Sequence, residues 1–232
     1  MSMPYDSDDS VLMPTEQADR RSPFPAIAMR ICLIGLVTAV FGLSGCAAVR
    51  KRPPSDVSYY LLNVERPQPA LPERSGVCTW IRSCRMAGSF AGRSLVYRTG
   101  TVLYEPDYYN LFLTNPDAQL TDAMRAWFRQ AGLPACVSTQ ESDIRKYTIE
   151  PRVDLFCGDF TNKEQPTAVV QMHILITTLD KSCSCIKTVL DQTYSAETLL
   201  PANPTAAQVV EGLSLSISKI LQQLENDWIE AL

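Results

Sequence analysis

Apolar positions recur along this chain with two periods, and the switches between them outline the fold. Thr205–Leu232 carries the longest helical pattern. Ala206, Val209, Val210, Leu213, Ile217, Ile220, Leu221, Leu224 and Trp228 make one seam, which begins after Pro204. Gly212 and the serines Ser214, Ser216 and Ser218 lower the intrinsic propensity of this segment, so packing must hold it. Asn115–Gly132 is the second helix. Leu120, Ala123, Met124, Trp127, Phe128 and Ala131 follow the i, i+3, i+4, i+7 spacing. Asn115 suits the cap, Pro116 the first turn, Asp117 the positive helix end and Gly132 the stop. A Trp–Phe stripe at this spacing reads as core.

Between and before these helices the period falls to two. Arg145–Cys157 alternates Tyr147, Ile149, Pro151, Val153 and Leu155 with mostly polar neighbours. Thr167–Leu179 places Ala168, Val170, Met172, Ile174 and Ile176 on one side, and Cys185–Ser195 follows a turn at Asp180–Ser184. Short connections predict an antiparallel meander here. Upstream, Ser58–Val64 reads as a first strand, Arg66–Gly76 as a loop and Val77–Met86 as a strand. Ser94–Arg98 and Thr101–Glu105 flank a Thr99-Gly100 hairpin turn. The order strands, helix, strands, helix predicts an α+β fold, an α/β sandwich. Both amphipathic helices would pack on one face of a mainly antiparallel sheet.

A different apolar run, Ile31–Gly42, stands alone near the start and is followed by Leu43, Ser44, Gly45 and Cys46. A dozen residues fall short of the roughly 20 that span a bilayer. With Arg20, Arg21 and Arg30 upstream, the run reads as a signal-peptide core, and Leu43-Ser44-Gly45-Cys46 reads as a lipobox. In bacterial secretion such a Cys receives a diacylglyceryl group, the precursor is cut before it, and the new amino end is usually acylated too. Several acyl chains make a stable anchor. The polar stretch Met1–Ala28 is long for an n-region, and Met13 and Met29 offer alternative starts. Residues 1–45 are thus the expected signal peptide, 46–57 the anchor and tether, and 58–232 one domain. Ala47, where an Asp would favour inner-membrane retention, points to the periplasmic face of the outer membrane.

Composition narrows the function classes. A net charge of −4 offers no basic face for nucleic acid; Arg50-Lys51-Arg52, just after the anchor, suits either anionic headgroups or a solvated tether. The cysteines of the mature part, Cys78, Cys84, Cys136, Cys157, Cys183 and Cys185, are even in number, and an oxidising compartment permits disulfides. Cys183-Ser184-Cys185 does not match zinc spacings, so no metal is expected. His173, the one histidine, has no acidic or serine neighbour in sequence and reads as a sheet-face residue. No G-x-S-x-G, phosphate-binding glycine loop or H-E-x-x-H occurs, and Glu105, Asp107, Glu141, Asp143 and Asp154 are scattered. No catalytic residue and no cofactor are expected beyond the covalent diacylglyceryl and N-acyl groups on Cys46.

The aromatic block is the remaining signal. Ser94-Leu95-Val96-Tyr97-Arg98, Tyr104-Glu105-Pro106-Asp107-Tyr108-Tyr109-Asn110, Phe112 and the Pro116–Gly132 helix resemble the ABC-type transport auxiliary lipoproteins. Those proteins share the lipobox, a tyrosine-rich strand like Ser58–Val64 and a final amphipathic helix. The resemblance runs from Ser58 to Trp228, and Val77–Gly92 departs from it. It implies a non-catalytic lipoprotein partner of a Mce-type lipid transport system. Its partners would be an Mce-domain substrate-binding protein, a permease and an ATPase, and it would dock that apparatus or pass on lipid. A phospholipid ligand and a homo-oligomer both fit. An envelope structural or assembly lipoprotein is the alternative. Tyr108, Tyr109 and Phe112, in an expected loop after the hairpin, are the candidate partner interface; the same rings could instead pack under the helix.

Overall fold

The alternation in the sequence becomes a sheet whose apolar side faces two helices. The computed structural model describes residues 56–74, 77–133, 145–180 and 182–231. The chain divides into residues 1–54 and 55–232, and the described residues all belong to the second unit. Its elements are β1 (Ser58–Tyr60), β2 (Val77–Ile81), β3 (Arg85–Met86), β4 (Ser94–Arg98) and β5 (Tyr104–Phe112), then α1 (Pro116–Gln130). After it come β6 (Arg145–Asp159), β7 (Thr167–Asp180), β8 (Cys185–Leu199) and α2 (Ala206–Ala231). The sheet order is β1-β5-β4-β6-β7-β8, with β2 and β3 also paired to β6.

The α+β expectation holds, but the sheet is mixed. β4–β5, β6–β7 and β7–β8 are antiparallel, while β1–β5, β2–β6, β3–β6 and β4–β6 are parallel. Tight connections make the antiparallel pairs. Between β5 and β6, α1 carries the chain past β4, so β6 pairs on the far side of β4 and runs parallel to it, opposite in direction to β5.

Ala168, Val170, Met172, Ile174 and Ile176 are all buried, as the period predicts. On β6 the phase changes. A bulge between Val153 and Leu155 turns Leu155 off the core face and puts Phe156 there instead. Leu120, Met124, Trp127 and Phe128 of α1 join the α2 seam in the same core. The Trp228 ring meets Phe128 edge-on at 5.2 Å and Tyr147 at 6.0 Å. Gly212 has a role here that its low helix propensity hid. A Cβ there would stand 2.6 Å from Leu200 Cδ2 and 2.8 Å from Ala168 Cβ, so its bareness lets α2 lie close on the sheet.

The helix ends differ from expectation. Asn115 sits at the α1 cap, but its side chain makes no capping bond; Asp117 Oδ1 accepts the Ala118 N–H at 2.8 Å. Gly132 ends the helix with φ +73°, and a Cβ there would lie 2.4 Å from the Pro72 carbonyl oxygen. At α2 a capping box appears: the Thr205 N–H donates to Gln208 Oε1 at 2.8 Å and the Gln208 N–H to Thr205 Oγ1 at 3.3 Å.

Early strands are shorter than the sequence suggests. Ser58–Val64 is a strand only to Tyr60. Beyond it the Leu62 N–H donates to Gln119 Oε1 at 2.8 Å and the Asn63 N–H to Ser214 Oγ at 3.1 Å, so helix side chains replace the ladder. Val77–Met86 splits into β2 and β3, and in the break the Cys84 N–H donates to Thr121 Oγ1 at 2.9 Å. The 66–74 segment is strapped across both helices. Arg66 donates to both oxygens of Glu225, at 2.9 and 2.7 Å, and Trp127 Nε1 donates to Glu225 Oε2 at 2.8 Å. Burial opposes ionisation of Glu225, yet the Arg66 and Trp127 hydrogen bonds outweigh it and hold the carboxyl below its ordinary range.

Candidate partner interface

β5 is where the chain departs furthest from a regular strand. The segment expected as a loop is paired to β4 at both ends. Arg98, Tyr97 and Val96 face Tyr104, Glu105 and Pro106, and pairing resumes at Ser94 with Leu111. Asp107–Asn110 therefore stand opposite Leu95 alone, a bulge of several residues. Asp107 is its staple. Its Oδ1 accepts the Tyr109 and Asn110 N–H groups at 2.8 and 3.0 Å, and its Oδ2 accepts Tyr97 Oη–H at 2.9 Å and Asn110 Nδ2–H at 2.8 Å. Asn110 Oδ1 in turn accepts Tyr60 Oη–H at 3.0 Å, which ties in β1. Burial works against the Asp107 charge, but these donors hold its carboxyl below the usual range; burial first, then Asp107, pushes the Tyr97 hydroxyl up.

The staple turns two rings outward. Tyr108 is 76% exposed and Tyr109 52%, and Tyr59 on β1 is 55% exposed under the Arg93 guanidinium, 5.4 Å from its ring centre. Phe112 does not join them. As the last residue of β5 it is 1% exposed, with its ring 5.7 Å from that of Phe156, because the pleat returns it to the core face after the bulge. Tyr104 packs edge-on to Phe90 at 5.9 Å. Sequence reasoning singled out Tyr108 and Tyr109, here exposed, from their crowding, and missed Asp107, whose place needs the β4 register. Exposed tyrosines with dry bodies and wet hydroxyls are the composition that interfaces favour.

The expected lipobox residues Leu43, Ser44, Gly45 and Cys46 lie outside the described residues. The chain enters β1 beside the tyrosines, since Ser58 pairs with Asn110. Among the described residues no helix is long and apolar enough to cross a membrane, and no group of three His, Cys, Asp or Glu side chains is placed to hold a metal.

Other reactive residue types are committed elsewhere. Cys183 and Cys185 form a disulfide at the β7–β8 turn, and Cys78 is disulfide-bonded as well. Cys84 and Cys157 are buried free thiols, which burial pushes up to about 12 and about 11. At neutral pH they are protonated and poor nucleophiles. His173, without an acidic neighbour in sequence, gains one from the register: its Nε2 lies 2.6 Å from Asp191 Oδ1 across β7 and β8 on the sheet's outer face.

This fold is found in other proteins. XCC0632 of Xanthomonas campestris, a DUF330 protein, matches with a TM-score of 0.60 at 15% identity, over 75% of this chain and 96% of its own. A second, uncharacterized protein matches with a TM-score of 0.57 at 16% identity, over 75% of this chain and 99% of its own. No family model and no curated protein matches this sequence. At these identities the likeness establishes a shared α+β fold.

Proposed function

We propose that this chain is a lipid-anchored periplasmic subunit, without catalysis of its own, of a Mce-type ABC transport system at the outer membrane. One observation carries the reading. The Tyr104–Asn110 block, the most specific part of the resemblance to the auxiliary lipoproteins, is the segment that a dedicated staple projects from the domain. That projection stands beside the end of a tether expected to start at a lipidated Cys46. Fully extended, residues 46–57 reach about 40 Å, so the anchor confines the tyrosines to a thin layer above the membrane. Confinement raises the effective concentration of any partner reaching that layer and lets a modest patch hold it.

The mechanism is docking. The acyl groups on Cys46 supply membrane attachment, and the rigid domain presents Tyr108 and Tyr109 to the Mce-domain protein that bridges from the permease and ATPase. Lipid handed on at the end of that path would then arrive next to the outer membrane. Capture of the native protein from detergent-solubilised envelope should recover the Mce-domain protein with its permease and ATPase; their absence would sink the transport reading. Fatty-acid labelling of wild type and Cys46→Ser tests the anchor separately, because label retained by the variant contradicts acylation at Cys46.

A further inference from the structure

β2 leaves the edge of β6 after Ile81 and β3 rejoins it at Arg85, and this break opens onto a cavity of about 850 Å³. Among the described residues, Arg82 and Arg85 beside the break, Arg125 from α1 and Lys146 from β6 line it, and Glu150 is the carboxylate they share the wall with, so the guanidinium groups alone outnumber it three to one. Trp80 forms the apolar side and is 53% exposed.

Glu150 holds the arginines loosely. Arg82 Nε and Arg85 Nη2 each stand 3.4 Å from a different oxygen of Glu150, whereas the neighbouring Arg152–Asp154 pair closes to 2.8 Å. The Arg82 and Arg85 side chains are well exposed, and long, solvated pairs of this kind contribute little. Arg125 reaches the same place, with Nη2 3.5 Å from the Ile81 carbonyl oxygen at the end of β2 and Nη1 in a similarly long, exposed pair with Asp122 at 3.4 Å. Three planar forks around one space match a group with several anionic oxygens, and guanidinium is the side chain best suited to phosphate. The exposed indole adds a surface for a less polar body attached to that group.

We propose that this cavity binds a phosphate group carried on a larger organic body, with the phosphate on Arg82, Arg85 and Arg125 and the body against Trp80. The site requires neither the anchor nor the transport partners, so it stands or falls apart from the function proposed above. Trp80 provides the readout. The chain has three tryptophans, and Trp127 and Trp228 are buried, so acrylamide quenching reports Trp80. The native protein as purified from envelope, in uncharged dodecyl maltoside micelles, is titrated with glycerol 3-phosphate, dihexanoyl phosphatidylglycerol and dihexanoyl phosphatidylcholine.

The phosphatidylglycerol should protect Trp80 saturably, and the phosphatidylcholine much less. Equal protection by glycerol 3-phosphate assigns the site to soluble phosphate esters; protection by the lipid alone assigns it to a headgroup, and either result supports the phosphate site. Arg82→Glu/Arg85→Glu should weaken binding at least about tenfold, with melting unchanged, through loss of two charge-assisted contacts. Glu150→Gln keeps the wall's shape and removes the competing carboxylate, so it should tighten binding. No saturable protection, protection by phosphatidylcholine equal to that by phosphatidylglycerol, or unchanged affinity in Glu150→Gln overturns the proposal.

Discussion

The β6–β7–β8 meander under α2 and the β1–β5 side of the same sheet are held in different ways. The meander has long strands, ladders broken by only one register shift each and an inner face that is almost wholly apolar, so burial holds it and few side-chain hydrogen bonds are needed. On the other side β1 has three residues and β3 two, too few for ladders to satisfy the backbone. Side chains take over: Gln119, Ser214 and Thr121 accept backbone N–H groups, Asp107 staples the bulge, and Glu225 anchors the 66–74 strap. Irregular backbone fastened by side chains can present rings and charges outward, which a flat ladder cannot. Both the tyrosine projection and the basic cavity lie on that side or at its border with β6.

The sharpest way to break the comparison is a charge in the meander's core. Leu213→Asp places a carboxylate, with no cation to meet it, in a layer where Leu213 is 2% exposed. Burying an unpaired charge costs more than the whole stability of an ordinary domain, so circular dichroism should show loss of cooperative melting. A folded variant would mean that α2 does not close this core.

Glu225→Ala is the matching test of the stapled side. It removes the counter-charge of the Arg66 guanidinium, whose side chain is 2% exposed, leaving it the Gln68 and Pro69 carbonyl oxygens, and it leaves Trp127 Nε1 without its acceptor. Removing one partner of such a pair costs about 3–5 kcal/mol, read by urea unfolding. The pH dependence has a definite sign. Glu225, Asp107 and Asp159 are held below their ordinary values when folded, so the unfolded chain binds more protons in acid. Their contribution is complete above the usual carboxylate range and is lost as pH falls through the depressed folded values. Glu225→Gln should therefore lower the melting temperature at neutral pH and flatten its acid decline; a parallel decline would remove Glu225 from the cause.

Gly212→Ala sharpens the contrast from the regular side. On a solvent-facing helix this change gains about 1 kcal/mol. Here the added methyl meets Leu200 and Ala168 well inside contact distance, so overpacking should reverse the sign, at about 1–3 kcal/mol of loss. A stabilised variant would show that α2 can lift off the sheet at no cost.

Most telling for function is the pair Asp107→Ala and Tyr108→Ala, the second with the smallest expected effect on stability. Tyr108 is largely exposed, so its truncation should stay within about 0.5 kcal/mol, and partner capture should fall without earlier melting. Asp107→Ala should cost about 1–3 kcal/mol through unpaired groups and weaken capture although both rings remain. Capture that tracks only the folded fraction in both variants would move the partner surface elsewhere.

The sequence by itself determined the meander and both helices, because there each residue's neighbours along the chain set its environment. Alternation placed Ala168, Val170, Met172, Ile174 and Ile176 on the core face, and the 3.6 period placed Leu120 through Phe128 and Val209 through Trp228. It also singled out Tyr108 and Tyr109 by composition, but grouped Phe112 with them. Only the tertiary structure decided the rest. Whether β4 and β6 run parallel depends on the α1 crossover, and the fate of Tyr108, Tyr109 and Phe112 depends on three extra residues in the β4–β5 register. Arg66 meets Glu225, and His173 meets Asp191, across long stretches of chain. Local pattern carries the hydrophobic term, which depends on which side of an element a residue faces. Polar staples and clustered charges depend on which distant backbone arrives opposite, and that is settled only when the sheet closes.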